Sequence, residues 1–294
     1  MLPYFQQPSW QVGPLSIHAF GVAVAVAVAV GQRMADRRAA RLGLDHATVN
    51  GLGGWMLGGG VLGAHLFSVL FYFPDKLQQD PWLLFRVWED ISSFGGMIGG
   101  GLGAILFFHL RRPDLPARAR LAFADLVAFV FPTGLAIGRI GCALAHDHPG
   151  VVTNFPLGLS LRTSSAQAYV QGVYANAGLP APSEVAGLGF HDLGLYELLF
   201  LALVVVPLFR RWDRSVRPPG FFLAAFAGLY LPVRFTLDLL RVADARYVGL
   251  TPAQWVAAGG LSVLPFFVVQ RPRLRLALVG GVILVTACAC WSGT

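Results

Sequence analysis

Long apolar blocks separated by short arginine clusters constrain this chain more than any other feature. Segments such as Gly21–Gly31 and Leu195–Leu208 are apolar throughout, without the polar–apolar alternation of a β-barrel strand. A helix needs about 20 such residues to cross the hydrocarbon core of a bilayer. Eight blocks qualify as candidate crossings: 15–32, 50–73, 93–110, 121–144, 192–209, 220–240, 253–270 and 274–291. Charged residues make up 13% of the chain, where soluble domains carry about 25%. The expected fold class is therefore all-α: a polytopic transmembrane helical bundle of seven or eight spans, forming one integral membrane domain over residues 1–294.

The sequence pI near 9.8 invites a nucleic-acid reading, but the distribution of charge argues against it. Of 22 basic residues only Lys76 is a lysine. Arginines cluster at every second connection: Arg33, Arg37, Arg38 and Arg41; Arg111, Arg112, Arg118 and Arg120; Arg210, Arg211, Arg214 and Arg217; Arg271, Arg273 and Arg275. That alternation is the mark of cytoplasmic loops. It places both termini outside, in the periplasm if the host is Gram-negative. Met1–Trp10 has no basic residue and so lacks the charged start of a cleavable signal peptide. Two outer segments are long. Pro74–Ile91, with Trp82, Phe85 and Trp88, reads as a connector lying in the headgroup zone. The polar stretch 146–190 reads as a small outer-face subdomain. Cys142, Cys288 and Cys290 make no disulfide framework.

Seven basic residues fall outside the clusters: Lys76, Arg86, Arg139, Arg162, Arg234, Arg241 and Arg246. Charge inside a membrane span is costly and marks a functional candidate. Arg139 and Arg234 lie within apolar helices, toward their outer halves. Gly138 and Gly141 flank Arg139 and would let a backbone or a ligand come close. Two guanidiniums at headgroup depth could clamp a phosphate; equally, each could pair with a buried carboxylate, Asp125, Glu197 or Asp238. Arg234, Asp238 and Arg241, spaced by four and three, share one helical face. His146-Asp147-His148 follows the Arg139 helix and could supply a general base. Zinc would need further ligands, so no metal is expected. His191 and the pair Tyr196-Glu197 form the other polar cluster at this depth. His18, His65 and His109 read as satisfied or interfacial.

From Gly13 to Ala257 the chain resembles the prolipoprotein diacylglyceryl transferases. The resemblance rests on Gly13-Pro14-Leu15 leading to Phe20-Gly21, then Phe94-Gly95-Gly96-Met97-Ile98-Gly99, then Ala124-Asp125 leading into Gly138-Arg139-Ile140-Gly141-Cys142 with Gly150 nine residues after Gly141. It continues through His191, Leu195-Tyr196-Glu197, Tyr230, Arg234-Phe235, Asp238, Arg241 and Ala243-Asp244. It implies transfer of a diacylglyceryl group from phosphatidylglycerol to the lipobox cysteine of a prolipoprotein, forming a thioether, by a multi-pass enzyme of the bacterial inner (plasma) membrane. The implied partners are phosphatidylglycerol, prolipoprotein signal peptides and membrane lipid, with no cofactor and no nucleic acid. Arg139 and Arg234 would hold the phosphate. Gly138, Gly141, Gly150, Asp147, His191, Tyr196, Glu197, Tyr230, Asp238 and Arg241 would shape the substrate site.

The chain departs from the family pattern in four places. Phe94 stands where the family has a histidine often cast as the base, Phe20 replaces a tyrosine, Cys142 an asparagine and Asp238 a glutamate. Three readings of Phe94 stay open. His146 or Asp147 replaces the base; no protein base is needed, because the thiol ionises near arginines and phosphate; or the chain is a catalytically altered paralogue that binds lipid or signal peptide. His146 is the expected base. A transporter would need a charged path through both leaflets, whereas the polar residues concentrate in the outer half.

Overall fold

The computed structural model describes residues 1–12, 15–87, 89, 91–182, 187–242 and 246–268. The expected span 274–291, with Cys288, Cys290, Arg271, Arg273 and Arg275, lies outside the described residues, as do Gly13, Pro14, Trp88, Ala243 and Asp244.

The chain opens with a hairpin, Ser9–Val12 (β1) against Leu15–His18 (β2). Helix α1, Ala19–Leu42, follows. Its 24 residues reach about 36 Å at 1.5 Å per residue, longer than the roughly 30 Å hydrocarbon core. The expected first crossing, 15–32, is corrected at both ends. Residues 15–18 pair as a strand, and the helix runs on so that Arg33, Arg37, Arg38 and Arg41 occupy its last turns rather than a loop. Asp45 caps α2, His46–Phe67, accepting from the amides of Ala47 and Thr48. A π-turn, Ser68–Tyr72, continues it. Short helix α3, Pro74–Gln79, and a 3₁₀ turn, Pro81–Phe85, carry the exposed Trp82 and Phe85. Helix α4 is Ser93–Leu110 and α5 is Ala117–Ala145, whose first turns hold Arg118 and Arg120.

The outer segment then supplies strands β3, Pro149–Thr153, and β4, Leu159–Ser160, helix α6, Ser164–Asn176, and strand β5, Gly189–Asp192. Leu193–Phe200 (α7) passes through a π-turn, Leu201–Val205, into α8, Val206–Trp212. The π-turn lies just before Pro207, which has no N–H for a regular helical bond. Helices α9, Phe221–Leu239, and α10, Pro252–Val268, end the described chain. Among the described residues, five stretches are long and apolar enough to cross a membrane: Ala19–Leu42, His46–Tyr72, Ala117–Ala145, Leu193–Trp212 and Phe221–Leu239; Gly95–Leu110 is a shorter apolar helix. The protein is a helical, multi-pass membrane protein, and helices occupy seven of the eight expected blocks.

Two compact units divide the chain: residues 32–127, and residues 1–31 with 128–294. In the first, Ala39, Val49, Leu52, Phe107, Phe108, Phe123 and Leu126 form an apolar core. His65 is buried there and satisfied, its ring nitrogens meeting the carbonyls of Glu89 at 2.7 Å and Leu83 at 2.9 Å. In the second unit, β5 lies between β3 and β4 in an antiparallel sheet. Leu159, Leu161, Ala166, Val170 and Phe190 pack beneath it, with Tyr4 and Tyr169 against them. Leu2 pairs beside Leu159, so the N-terminal segment docks on this subdomain. Strands of two to five residues carry no readable period, which is why the sequence marks the outer segment as a small subdomain without showing its strands.

Candidate active site

Three helices of the second unit bring charge to one place. Arg139 lies near the C-terminal end of α5, Arg234 near that of α9, and Glu197 one turn into α7. Asp192, at the end of β5, caps α7 by accepting from the Leu195 amide at 3.0 Å, which fixes where Glu197 emerges. Glu197 is fully buried and splits its carboxylate between two guanidiniums: Arg139 Nε is 3.0 Å from Oε1, and Arg234 Nη1 donates to Oε2 at 3.2 Å. Tyr230 donates its hydroxyl to Glu197 Oε1. Arg234 Nη2 also reaches Asp238 Oδ1 at 2.9 Å, four residues along α9.

Of the two expectations left open by the sequence, these contacts meet one: the arginines pair with buried carboxylates. They also reach that pairing from separate helices. Two groups retain capacity. Arg139 Nε and Asp238 Oδ1 are buried, and neither has an in-line hydrogen bond despite its close ionic neighbour. The two glycines beside Arg139 differ in use. A Cβ on Gly141 would stand 2.9 Å from Phe20 Cα and 3.0 Å from Ala23 Cβ of α1, so this glycine serves helix packing. A Cβ on Gly138 would meet nothing within 4 Å, so this glycine is not required by packing. Gly150 is steric too: its Cβ would lie 2.8 Å from His191 Cβ and 2.9 Å from the Leu240 carbonyl. At Gly150 strand β3 bridges to Arg241.

Beyond α5 the three residues 146–148 take separate roles. His146 does not reach the arginine cluster. It is buried with φ at 52°, Nδ1 meeting Asp192 Oδ2 at 2.8 Å and Nε2 the Phe5 carbonyl at 3.1 Å, while Tyr169 donates to its own carbonyl. Both ring nitrogens are thus engaged by oxygens of residues outside the arginine cluster. The expected base His146 is placed away from the arginines, as a clasp joining the N-terminal segment, α5 and the sheet. His148 instead points back into the cluster, Nδ1 bonded to Asp147 and Nε2 3.2 Å from Arg139 Nη1. The same Arg139 nitrogen lies 3.3 Å from Cys142 Sγ, which accepts where the family resemblance has an asparagine.

Burial disfavours ionised Asp147, but the His148 N–H and the Arg139 charge outweigh it and hold this carboxyl below the usual range. Burial lowers His148 below the ordinary histidine value, with Arg139 and Arg241 adding to it against the Asp147 bond. Cys142, Asp147 and His148 each place a potential ligating atom within 4.8 Å of the others, a grouping of the sort that metals use. Here the Arg139 guanidinium already touches both Sγ and Nε2, so an added cation would meet fixed positive charge. Acid–base chemistry suits the arrangement better.

His191 and Tyr196 form a separate pair, joined at 2.9 Å and packed with Phe155; Arg139 and Arg234 bond elsewhere, to Glu197, Cys142, His148 and Asp238. Two residues escaped the sequence reading. Thr251 donates to Asp238 Oδ2 at 2.6 Å, and Gln254 exchanges bonds with Thr251 while reaching the Phe235 carbonyl at 3.2 Å. Thr-x-x-Gln is a legible capping pattern, though nothing in it announces Asp238 as a partner.

A family model described as prolipoprotein diacylglyceryl transferase matches residues 7–269. Relatives named phosphatidylglycerol–prolipoprotein diacylglyceryl transferase include one from Chromohalobacter salexigens, 32% identical over 86% of this chain and 85% of its own length. Another, from Mannheimia succiniciproducens, is 29% identical over 94% of this chain and 96% of its own. A third, from Pseudomonas entomophila, is 28% identical over 97% and 95%. With the signature arginines of that resemblance drawn onto one buried glutamate, this chain belongs to the prolipoprotein diacylglyceryl transferase family.

Proposed function

We propose that this protein transfers the diacylglyceryl group of phosphatidylglycerol to the lipobox cysteine of a prolipoprotein, in the bacterial inner membrane. The observation that carries the reading is the pairing of Arg139 and Arg234 through Glu197. In the reaction a sulfur–carbon bond forms at the glyceryl carbon as that carbon's bond to phosphate oxygen breaks. The leaving group changes from a phosphodiester monoanion into glycerol phosphate, a monoester that gains negative charge. Donors aimed at that phosphate bind the transition state more tightly than the substrate, which is what accelerates a reaction. Arg139 Nε, without an in-line acceptor, suits such a guest.

The arginine clusters stand at the opposite ends of α5 and α8 from this site. By the positive-inside rule the site then faces the outer leaflet, where an exported signal peptide and phospholipid would both reach it. Gly141 and Gly150 hold the scaffold. Asp238, Tyr230 and Glu197 orient the guanidiniums. His191 and Tyr196 shape the neighbouring wall, and Arg241 adds positive charge.

The test is direct. The protein in phosphatidylglycerol liposomes, given a lipobox peptide, should add one diacylglyceryl mass to the peptide and release glycerol phosphate, read by mass spectrometry. A peptide with serine for the lipobox cysteine should stay unmodified. Peptide that binds without gaining mass would refute the activity and leave a binding protein.

Thr251 offers a smaller prediction. Thr251→Val removes a hydrogen bond to the Asp238 carboxylate, and bonds to charged groups contribute about 1.5–3 kcal/mol. Transfer should fall on the order of tenfold or more, with Thr251→Ser close to the parent. An unchanged rate for the valine variant would detach Thr251 from the site.

A further inference from the structure

The family histidine is replaced by Phe94 and His146 is committed elsewhere, yet the attacking thiol must lose a proton. We propose that His148 takes that proton, and that Arg139 holds His148 in reserve until a phosphate arrives. This rests on the transferase reading above.

Two contacts fix the chemistry of the ring independently. Asp147 offers an acceptor, so His148 Nδ1 carries the hydrogen. Arg139 Nη1, 3.2 Å from Nε2, can only donate, so Nε2 carries the lone pair. Both partners demand the same neutral tautomer, with its basic nitrogen aimed at the phosphate-binding arginine. The backbone is held as well: the Leu193 amide donates to the His148 carbonyl at 3.0 Å, just before β3 begins. His146 instead meets Asp192 and the Phe5 carbonyl, away from the arginines.

Arg139 thus couples binding to deprotonation. In the resting protein its Nη1 occupies the His148 lone pair. A phosphate that draws this donor away uncovers Nε2 beside the reacting centre. The thiol proton then passes to Nε2, the sulfur attacks the glyceryl carbon, and the carbon–oxygen pair leaves with glycerol phosphate. Proton transfer from His148 to that leaving phosphate restores the neutral ring.

The groups that act on His148 are Asp147 beside it, Arg139 and Cys142 from α5, Glu197 from α7 and Arg241 after α9. Burial and the two arginines keep the ring neutral at pH 7. Transfer should accordingly be steady above neutrality and fall as pH drops, with a midpoint below the ordinary histidine value of about 6.5.

The experiment measures peptide lipidation in phosphatidylglycerol liposomes from pH 5 to 9. His148→Gln should lower kcat by about 10²–10⁴-fold, leave the peptide KM near the parent and flatten the acid limb. Asp147→Asn should lower kcat less and move that limb. A His148→Gln protein with the parent's kcat and pH profile overturns the proposal. Should that variant fail to fold, His148→Ala is assayed with added imidazole. Recovery that rises with the neutral imidazole fraction supports His148 as the base; no recovery in folded protein overturns it. Failure is distinguishable from failure of the underlying reading: there the parent protein itself lipidates nothing at any pH.

Discussion

Arg139→Ala and Arg234→Ala should each reduce prolipoprotein labelling by about 10³-fold, the scale of losing a donor aimed at developing charge. The two losses differ in origin. Arg139 contacts Glu197, Cys142 and His148, so its removal takes away the proposed phosphate donor and the proposed reserve on the base together. Arg234 contacts Glu197 and Asp238, so its removal leaves two buried carboxylates short of positive charge. Breaking a buried pair by deleting one partner costs about 3–5 kcal/mol of stability, and thermal melting must be read alongside the rate. Lysine separates the effects. Arg139→Lys and Arg234→Lys keep the charge and lose the planar fork. Both should melt closer to the parent than the alanine variants while remaining poor in kcat. Full labelling in both alanine variants would remove the arginines from the chemistry and return them to the role of structural pairs.

The membrane class and the expected blocks were readable because each rests on many residues at once. The outer subdomain was readable as a segment, 146–190, but its strands were not. β4 has two residues and β3 and β5 have five and four, too short for alternation to register. Helix ends moved where local partners won. Residues 15–18 left the first block because the hairpin takes them, and α1 outran its apolar run because Gln32–Leu42 continues the helix.

Within the site, residue type and helix position were enough to single out Arg139, Arg234 and Glu197, since a charge in an apolar span demands an explanation. Choosing between His146 and His148 was beyond the sequence. Their neighbours in the chain are nearly the same; what separates them is Asp192, 46 residues away, and Phe5, 141 residues away. Those distant acceptors claim His146 and leave His148 for Arg139. Thr251 was hidden for the same reason, since its capping pattern is local and its bond to Asp238 is not.

Gly99→Leu should prevent the folded protein from accumulating, and even Gly99→Ala should lower its melting temperature. Helices α2 and α4 of the 32–127 unit approach backbone to backbone through Gly59 and Gly63 on one side and Gly95, Gly99 and Gly103 on the other. A Cβ on Gly99 would stand 2.1 Å from the Gly59 carbonyl oxygen and 2.8 Å from Gly63 Cα. Both are backbone atoms, so no rotamer change relieves the clash and the helices must part. Overpacking against side chains costs about 1–3 kcal/mol, and contact with rigid backbone costs more. In a bilayer the loss is hard to recover, because lipid tails give apolar helices no hydrophobic reason to associate and close packing supplies the attraction. Gly101 is the control. It lies on the same helix, two residues away, with nothing within 4 Å of its Cβ position, so Gly101→Leu should melt like the parent. Equal melting of Gly99→Leu and Gly101→Leu would mean that this glycine contact does not hold the pair together. Because α4 carries Phe94, at the family's histidine position, the same comparison decides whether that helix is fixed by its glycines.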